Sequence, residues 1–165
     1  MIAGGVFGYG SSWIASNGNS NTHNMLSAFL SQANYWAILV ATLVYFVLGS
    51  LWFSALFGKI WSAEVARHGV TIKEPSKSDI GKKMLQTFIG NLLAVMASAY
   101  LVFATASHGW LPGLKLGLLC GIGFAAVGIC IAYLWESRST KLLLIDVGYA
   151  VCGITLACII LSGWR

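Results

Sequence analysis

The sequence predicts an all-α fold, an integral membrane bundle of four transmembrane helices, and three observations support this prediction. Hydrophobic residues make up 58% of the 165 positions and charged residues only 9%, whereas about a quarter of the residues in soluble domains are charged. Four apolar runs each reach the ~20 residues that a helix needs to cross ~30 Å of hydrocarbon. Six of the ten basic residues lie in one connection between the first two runs, a bias typical of a multi-pass membrane protein with one orientation.

The four predicted spans cover residues 34–58, 84–110, 114–135 and 142–164, and we expect one transmembrane domain over residues 25–165. Helices are favoured over a barrel because each backbone polar group must be satisfied within its own segment in lipid, and no alternating ten-residue pattern occurs. Residues 1–24 lack Lys, Arg, Asp and Glu and are rich in Gly, Ser and Asn, which predicts an uncharged N-terminal tail. No positively charged region precedes the apolar stretch, so a cleaved signal is not expected, and Met25 is an alternative translation start.

The positive-inside rule orients the predicted bundle. It places the basic connection 59–83 in the cytoplasm, together with the third connection, which carries Arg138 and Lys141. The second connection, 107–113, has no formal charge and faces outward, so both termini are expected on the outer side. We expect the cell (inner) membrane rather than an organelle membrane.

The first basic connection has two interpretations. Its cations act as topology determinants in a solvated loop, or they bind acidic lipid headgroups or an acidic partner, since each is attracted to an anionic surface by about 1 kcal/mol. These residues are Lys59, Arg67, Lys73, Lys77, Lys82 and Lys83. The first span is predicted to continue as a helix through residues 59–67, with Gly69 as its stop.

Small residues recur at four-residue spacing along the third run, at Gly113, Gly117, Gly121 and Ala125, and Gly153 continues a similar face in the fourth. Such strips allow close approach of helix backbones in membranes. They predict tight helix packing and leave two partners open, another helix of the same bundle or a second protomer.

Polar residues of two spans fall at similar depth on the predicted cytoplasmic side. Asp146 and Tyr149 share one face of the fourth run, and Thr87 and Asn91 lie in the second run. Counted from Lys141 at ~1.5 Å per residue, Asp146 lies only about 7 to 8 Å inside the span. One hypothesis is a cytoplasm-facing polar pocket formed by these four residues. The alternative is that Asp146 stabilises the bundle through Asn91, Thr87, Lys141 or Arg138.

Sequence signals of catalysis, metals and cofactors are missing. The four cysteines (Cys120, Cys130, Cys152 and Cys158) lack metal-ligand spacing, and the three histidines are isolated. No phosphate loop, nucleophile elbow or zinc-protease motif occurs, so we expect no catalytic residue, no metal site, no cofactor and no enzyme activity. The basic charge follows the membrane topology, so no nucleic acid partner is expected either.

Several short motifs resemble a known family. They are residues 34–41 (NYWAILVA), 49–54 (GSLWFS), 57–61 (FGKIW), 136–139 (ESRS), 145–149 (IDVGY) and 163–165 (GWR). In order and composition they resemble the integral membrane protein family catalogued as domain of unknown function 1761, over residues ~34–165. The resemblance implies a small four-span membrane protein and no established activity. The family more often has Trp-Tyr-Ser-Pro where this chain has residues 52–55, and often Asn at the position of Asp146.

These observations favour an uncharacterised membrane protein that acts through assembly, as a homo-oligomer or as an accessory subunit of a larger complex. The expected partners are membrane lipids, further copies of the chain or other membrane proteins. The alternative is a small-solute or ion transporter or channel, dimeric, with a cytoplasm-facing polar pocket around Asp146.

Overall fold

The computed structural model describes residues 24–67 and 77–164. The chain divides into two compact units, Met1–Ala33 and Asn34–Arg165. In the first unit, residues 24–32 form a helix, α1. The predicted tail before residue 24, Lys73 and the Gly69 helix stop lie outside the described residues.

The second unit contains six α-helices in its described part. They are α2 (Tyr35–Leu51), α3 (Gly58–Arg67), α4 (Lys77–Ala104), α5 (Trp110–Cys120), α6 (Val127–Trp135) and α7 (Thr140–Gly163), with π-helical segments at Trp52–Leu56 and Gly121–Ala126. No strand occurs in residues 24–67 and 77–164. Four helical stretches are long and apolar enough to cross a membrane, namely Tyr35–Leu56, Asp79–Ala104, Trp110–Trp135 and Thr140–Gly163. The predicted all-α fold with four spans is confirmed.

The second connection starts earlier than the predicted range 107–113. Helix α4 ends at Ala104, Ala106 adopts a left-handed conformation (φ 47°), and the Ser107 N–H donates to the Val102 carbonyl at 3.1 Å. These contacts close the helix end as in a Schellman motif. Helix α5 already begins at Trp110, which places Pro112 in its first turn. A proline is accommodated there because the N–H groups of a first turn form no helical hydrogen bond.

Helix α7 lies at the centre of this unit and packs against α2, α4 and α5. Its contact with α5 depends on glycines, since Gly113 and Gly117 are buried against it. A Cβ at Gly117 would lie 2.5 Å from the Thr155 Cα, and one at Gly121 would lie 3.0 Å from the Val151 Cα. Three members of the predicted small-residue strip therefore pack within the chain.

The small-residue strip shifts by one position at the π-helical segment Gly121–Ala126. Sequence spacing continues the strip to Ala125, whereas the structure buries Ala126 and leaves Ala125 half-buried. A π-turn contains one more residue than an α-turn, so the buried face moves on by one residue.

Helices α2 and α7 run antiparallel and also meet at glycines. A Cβ at Gly153 would overlap the Tyr45 ring, and one at Gly148 would lie 3.0 Å from the Trp52 ring. The Trp52 indole donates to the Ile145 carbonyl at 3.0 Å. Gly153 therefore accommodates an aromatic side chain of α2.

Two hydrogen-bonded contacts join the elements at the end of the bundle where α7 terminates. The Gly109 N–H donates to the Ser162 carbonyl at 2.9 Å, and the Ser162 hydroxyl donates to the Gly109 carbonyl at 2.9 Å. The Asn34 amide donates to the Trp164 carbonyl at 3.1 Å, while its oxygen caps α2 at the Ala37 N–H. We call this end the closed end.

Replacing Gly117 by alanine should destabilise the bundle, because the new methyl group would overlap the α7 backbone. Overpacking of this kind costs about 1–3 kcal/mol. Gly128→Ala is the matched control on α6, since nothing lies within 4 Å of its Cβ position. Thermal unfolding in detergent should show a lower melting temperature for Gly117→Ala and an unchanged or higher one for Gly128→Ala. Equal melting temperatures would contradict the close packing.

Candidate functional site

A cavity of about 820 Å³ lies at the end of the bundle opposite the closed end. This end carries α3 and residues 136–139, and we call it the basic end. All four spans contribute to its walls. The polar and charged lining residues are Ser50, Lys83, Thr87, Tyr133, Glu136, Arg138, Asp146 and Tyr149, and the remaining wall includes Phe46, Phe53, Trp61, Met84 and Ile129. Its volume is within the range of about 300–1,000 Å³ found for small-molecule sites.

The course of the third span explains why a cavity forms here. Helix α5 packs extensively on α7, whereas α6 packs on it much less and is not in extensive contact with α4. The π-helical segment Gly121–Ala126 separates these two halves of the span. Such segments change the direction of a helix and are frequent at functional sites. The third span is therefore tightly packed toward the closed end and leaves space toward the basic end.

Asp146 is a half-buried carboxyl in the cavity wall. It accepts a hydrogen bond from the hydroxyl of the buried Tyr133, and Arg138 and Trp61 also interact with it. Among the described side chains, those of residues 24–67 and 79–164, no lysine or arginine forms an ion pair with it. The carboxyl is thus held chiefly by a neutral donor and retains capacity to accept further hydrogen bonds.

The turn after α6 positions the neighbours of Asp146. Ser137 adopts a left-handed conformation (φ 49°), and the Arg138 N–H donates back to the Tyr133 carbonyl at 3.2 Å. This closure places the Arg138 guanidinium 5.4 Å from the centre of the Tyr133 ring, in a cation–π contact. Arg138 also pairs with Glu136 at 2.5 Å. The turn therefore fixes a cation above the phenol that donates to Asp146.

Tyr149 joins α7 to α2 and α4 beside the cavity. Its hydroxyl lies 3.4 Å from Oδ1 and 3.3 Å from Nδ2 of Asn91, so it donates to the first or accepts from the second. The rings of Phe53 and Tyr45 each lie with their centres 5.2 Å from that of Tyr149. A Cβ at Gly49 would lie 2.9 Å from the Tyr149 hydroxyl oxygen. The absence of a side chain at Gly49 therefore leaves room for the phenol.

Helix α3 contributes Trp61 to the cavity wall and is tied to the start of α7 through Glu64. The Glu64 carboxylate lies 3.2 Å from the Arg67 guanidinium and 3.6 Å from the Lys141 ammonium. A hydrogen bond with Ser139, then the charges of Arg67 and Lys141, hold the pKa of Glu64 below its ordinary value. Glu64 is therefore a charged link between α3 and α7.

Three of the four residues predicted for the polar pocket, Asp146, Tyr149 and Thr87, line the cavity. The fourth, Asn91, is buried behind them and contacts Tyr149. The hydroxyl that donates a hydrogen bond to Asp146 belongs to Tyr133, which is not one of the four partners considered from the sequence. The Thr87 hydroxyl donates to the Lys83 carbonyl of its own helix at 2.9 Å.

The basic residues singled out in the first connection divide by environment. Lys83 lines the cavity, Arg67 pairs with Glu64, and Lys59 and Lys82 are exposed. The side chains of Lys73 and Lys77 lie outside the described part of the chain. Among the members of this group whose side chains are described, only Lys83 therefore belongs to the cavity wall.

Sequence reasoning missed Tyr133 and Trp61 as neighbours of Asp146. A signal for Tyr133 existed, because the connection between α6 and α7 is short. Tyr133 lies two residues before the end of α6, and Asp146 lies six residues after the start of the antiparallel α7. The backbones therefore differ in depth by only about 6 Å, which a long tyrosine side chain can span. For Trp61 no comparable signal exists, since the path of α3 follows from the π-helical segment before it.

Cysteines and possible metal ligands contribute no further site. All four cysteines are free thiols. In the described part of the chain no group of three or more His, Cys, Asp or Glu side chains could hold a metal ion.

The fold and the cavity define a multi-pass α-helical membrane protein with a polar site among its spans. The chain belongs to the family described as "Protein of unknown function (DUF1761)", whose profile matches residues 36–162. This match confirms the resemblance drawn from the sequence motifs. Comparisons with curated proteins and with solved structures give no match.

The Glu64 contact predicts a pH-dependent stability. Because the pKa of Glu64 is lowered in the fold, its contribution is present above the ordinary pKa of the carboxyl and is lost as the pH falls through the lowered value. Glu64→Gln should therefore reduce the melting temperature at pH 7, and the difference from the parent protein should vanish under acidic conditions.

The partner of Glu64 supplies the control for this prediction. Lys141→Gln should also lower the melting temperature at pH 7, and the double variant should lose less than the sum of the two single losses. Additive losses, or a Glu64→Gln effect that does not change with pH, would show that the contact is not responsible.

Proposed function

We propose that this protein is a small-solute transporter that binds its solute in the cavity at the basic end. The cavity carries the proposal, because all four spans and α3 line it and it combines an apolar wall with a few polar groups. Pockets of this kind are the usual sites of small-molecule recognition. Ionisable residues within spans commonly mark solute or proton pathways, and Asp146 occupies that position here.

The one-sided packing of the bundle supports transport rather than a purely structural role. At the closed end, glycines bring α5 against α7, and Gly109 and Ser162 are hydrogen-bonded to each other. At the basic end the third span leaves space. A site that is accessible from one side while the other side is sealed is the arrangement that alternating access requires.

The orientation of the cavity follows from the positive-inside rule. We propose that the basic end faces the cytoplasm of the cell (inner) membrane and that both termini lie outside. The proposed protein is not an enzyme, since binding and release of a solute need no catalytic group. Membrane lipids are its surroundings and nucleic acid is not a partner.

The packing of the small-residue strip removes one of the observations that favoured assembly. Besides the uncharged tail and the scarcity of reactive groups, the assembly hypothesis was motivated by the strip at Gly113, Gly117 and Gly121, and this strip packs against α7 within the chain. The strip therefore offers no free surface for a second protomer. We nevertheless propose a dimer, because four helices seldom enclose a complete pathway and an outward route needs further walls.

Cysteine labelling tests the proposed cavity. In a variant with its four cysteines replaced by alanine, Ser50→Cys should react with a membrane-impermeant methanethiosulfonate from the cytoplasmic side of oriented vesicles. Ser50 lines the cavity, whereas the adjacent Leu51 is exposed elsewhere on α2 and serves as the matched control. A thiol in lipid is seldom ionised, so Leu51→Cys should react at least about tenfold more slowly.

The labelling experiment has two contrary outcomes. Equal rates at the two positions would exclude a water-filled cavity at Ser50. Labelling of Ser50→Cys only from the outer side would reverse the proposed orientation.

The proposed dimer is tested by light scattering coupled to size-exclusion chromatography in mild detergent and in lipid nanodiscs. We expect the mass of two chains in both. The dimer would be contradicted if the protein has the mass of one chain in nanodiscs and the same preparation takes up solute after reconstitution into proteoliposomes.

A further inference from the structure

The four charged side chains that line the cavity are not equivalent. Arg138 pairs with Glu136 at 2.5 Å and also lies over the Tyr133 ring, so these two opposite charges largely neutralise each other. Lys83 and Asp146 remain, and neither forms an ion pair with a described side chain, in residues 24–67 and 79–164. The polarity of the site therefore depends on where these two groups lie.

Asp146 and Lys83 differ in how deeply their charges lie. Asp146 is six residues inside α7, about 9 Å from its start, and its side chain is short and half-buried. Lys83 also lies six residues after the start of its helix, α4, but its side chain is long and exposed. Because helical side chains tilt toward the N-terminus, the long Lys83 chain directs its ammonium toward the basic end. The carboxyl is thus the charge inside the cavity, and the ammonium belongs to its mouth.

Aromatic rings surround the carboxyl on several sides. Trp61 and Tyr133 interact with Asp146 directly. Phe53 packs against both Trp61 and Tyr149, with ring centres 6.0 and 5.2 Å apart, and all of these residues line the cavity. Aromatic faces attract cations and tolerate their apolar substituents, and the attraction increases when the cation is desolvated.

Building on the proposed transporter, we propose that the solute is a hydrophobic organic cation, such as an alkylated or arylated ammonium or phosphonium ion. Its charged centre lies beside the Asp146 carboxyl among Trp61, Tyr133 and Tyr149. Its apolar substituents occupy the wall formed by residues such as Phe46, Met84 and Ile129. An organic anion would meet the carboxyl inside the cavity, and Lys83, the unpaired cation among the described lining residues, lies at the mouth.

Three probes of similar shape and different charge test this inference. They are tetraphenylphosphonium (cation), tetraphenylborate (anion) and triphenylphosphine oxide (neutral). Binding of each radiolabelled probe is measured on the full chain in lipid nanodiscs, with empty nanodiscs subtracted. We expect saturable binding of tetraphenylphosphonium at least about tenfold tighter than that of the other two, because a half-buried carboxylate within a cavity discriminates by charge.

Two sets of variants locate the binding to the carboxyl and its aromatic neighbours. Asp146→Asn should weaken tetraphenylphosphonium binding by about tenfold or more, whereas Asp79→Asn, which changes an exposed carboxyl outside the cavity wall, should not. Trp61→Leu should weaken it and Trp61→Phe should retain most of it, since a phenyl face still attracts a cation. The tryptophan pair keeps the test decisive if Asp146→Asn does not fold.

The outcomes separate this inference from the proposed transporter. The cation inference is overturned if the neutral or anionic probe binds as tightly as the cation, or if neither Asp146→Asn nor Trp61→Leu changes cation binding. The transporter then stands if the bound probe is taken up by proteoliposomes and if the cavity-filling Ala132→Trp abolishes its binding. Absence of saturable binding and of uptake for all three probes would overturn both.

Discussion

The close approach of α5 to α7 is the constraint on which the rest of the bundle depends. At Gly117 the α7 backbone occupies the space of a Cβ, with the Thr155 Cα 2.5 Å from that position. In lipid no hydrophobic effect drives helices together, so such contacts provide much of the packing energy. They hold the closed end. The π-helical segment Gly121–Ala126 then turns the same span so that α6 no longer packs tightly on α7. The third span thus packs closely on α7 at one end of the bundle and borders a cavity at the other end.

The surroundings of Asp146 lower the free-energy cost of placing a carboxyl within a membrane span. Insertion scales assign at least ~2.5–3.5 kcal/mol to a charged residue in the middle of a membrane helix. Asp146 reduces this cost by its shallow depth and by the hydrogen bond from Tyr133. The turn that places Arg138 over the same phenol adds a nearby positive charge, and Glu136 compensates that charge in turn. Among the described side chains the carboxyl has no direct ion pair, and it lines the cavity.

Much of the fold and part of the site were accessible from the sequence. Hydropathy predicted four spans because the length of a membrane helix is set by the bilayer, and the structure has four. Helical spacing placed Asp146 and Tyr149 on one face, and counting residues from the helix end placed Thr87 at a similar depth. All three residues line the cavity. Two errors concern local geometry. The predicted second connection, 107–113, lies later than the observed one between Ala104 and Trp110, because α5 accommodates Pro112 in its first turn. The small-residue strip was extended to Ala125 because regular spacing cannot anticipate a π-turn.

By itself the sequence determined the class of protein, the number of spans and the depth of each polar residue, since these depend on composition and on a fixed helical rise. The partners of those residues were decided only by the tertiary structure. Tyr133 reaches Asp146, Asn91 contacts Tyr149, and Glu64 links α3 to Lys141. Each pairing depends on the rotation of one helix relative to another, and two π-helical segments alter that rotation. Hydrophobicity and periodicity do not predict such rotations, because they describe each helix separately.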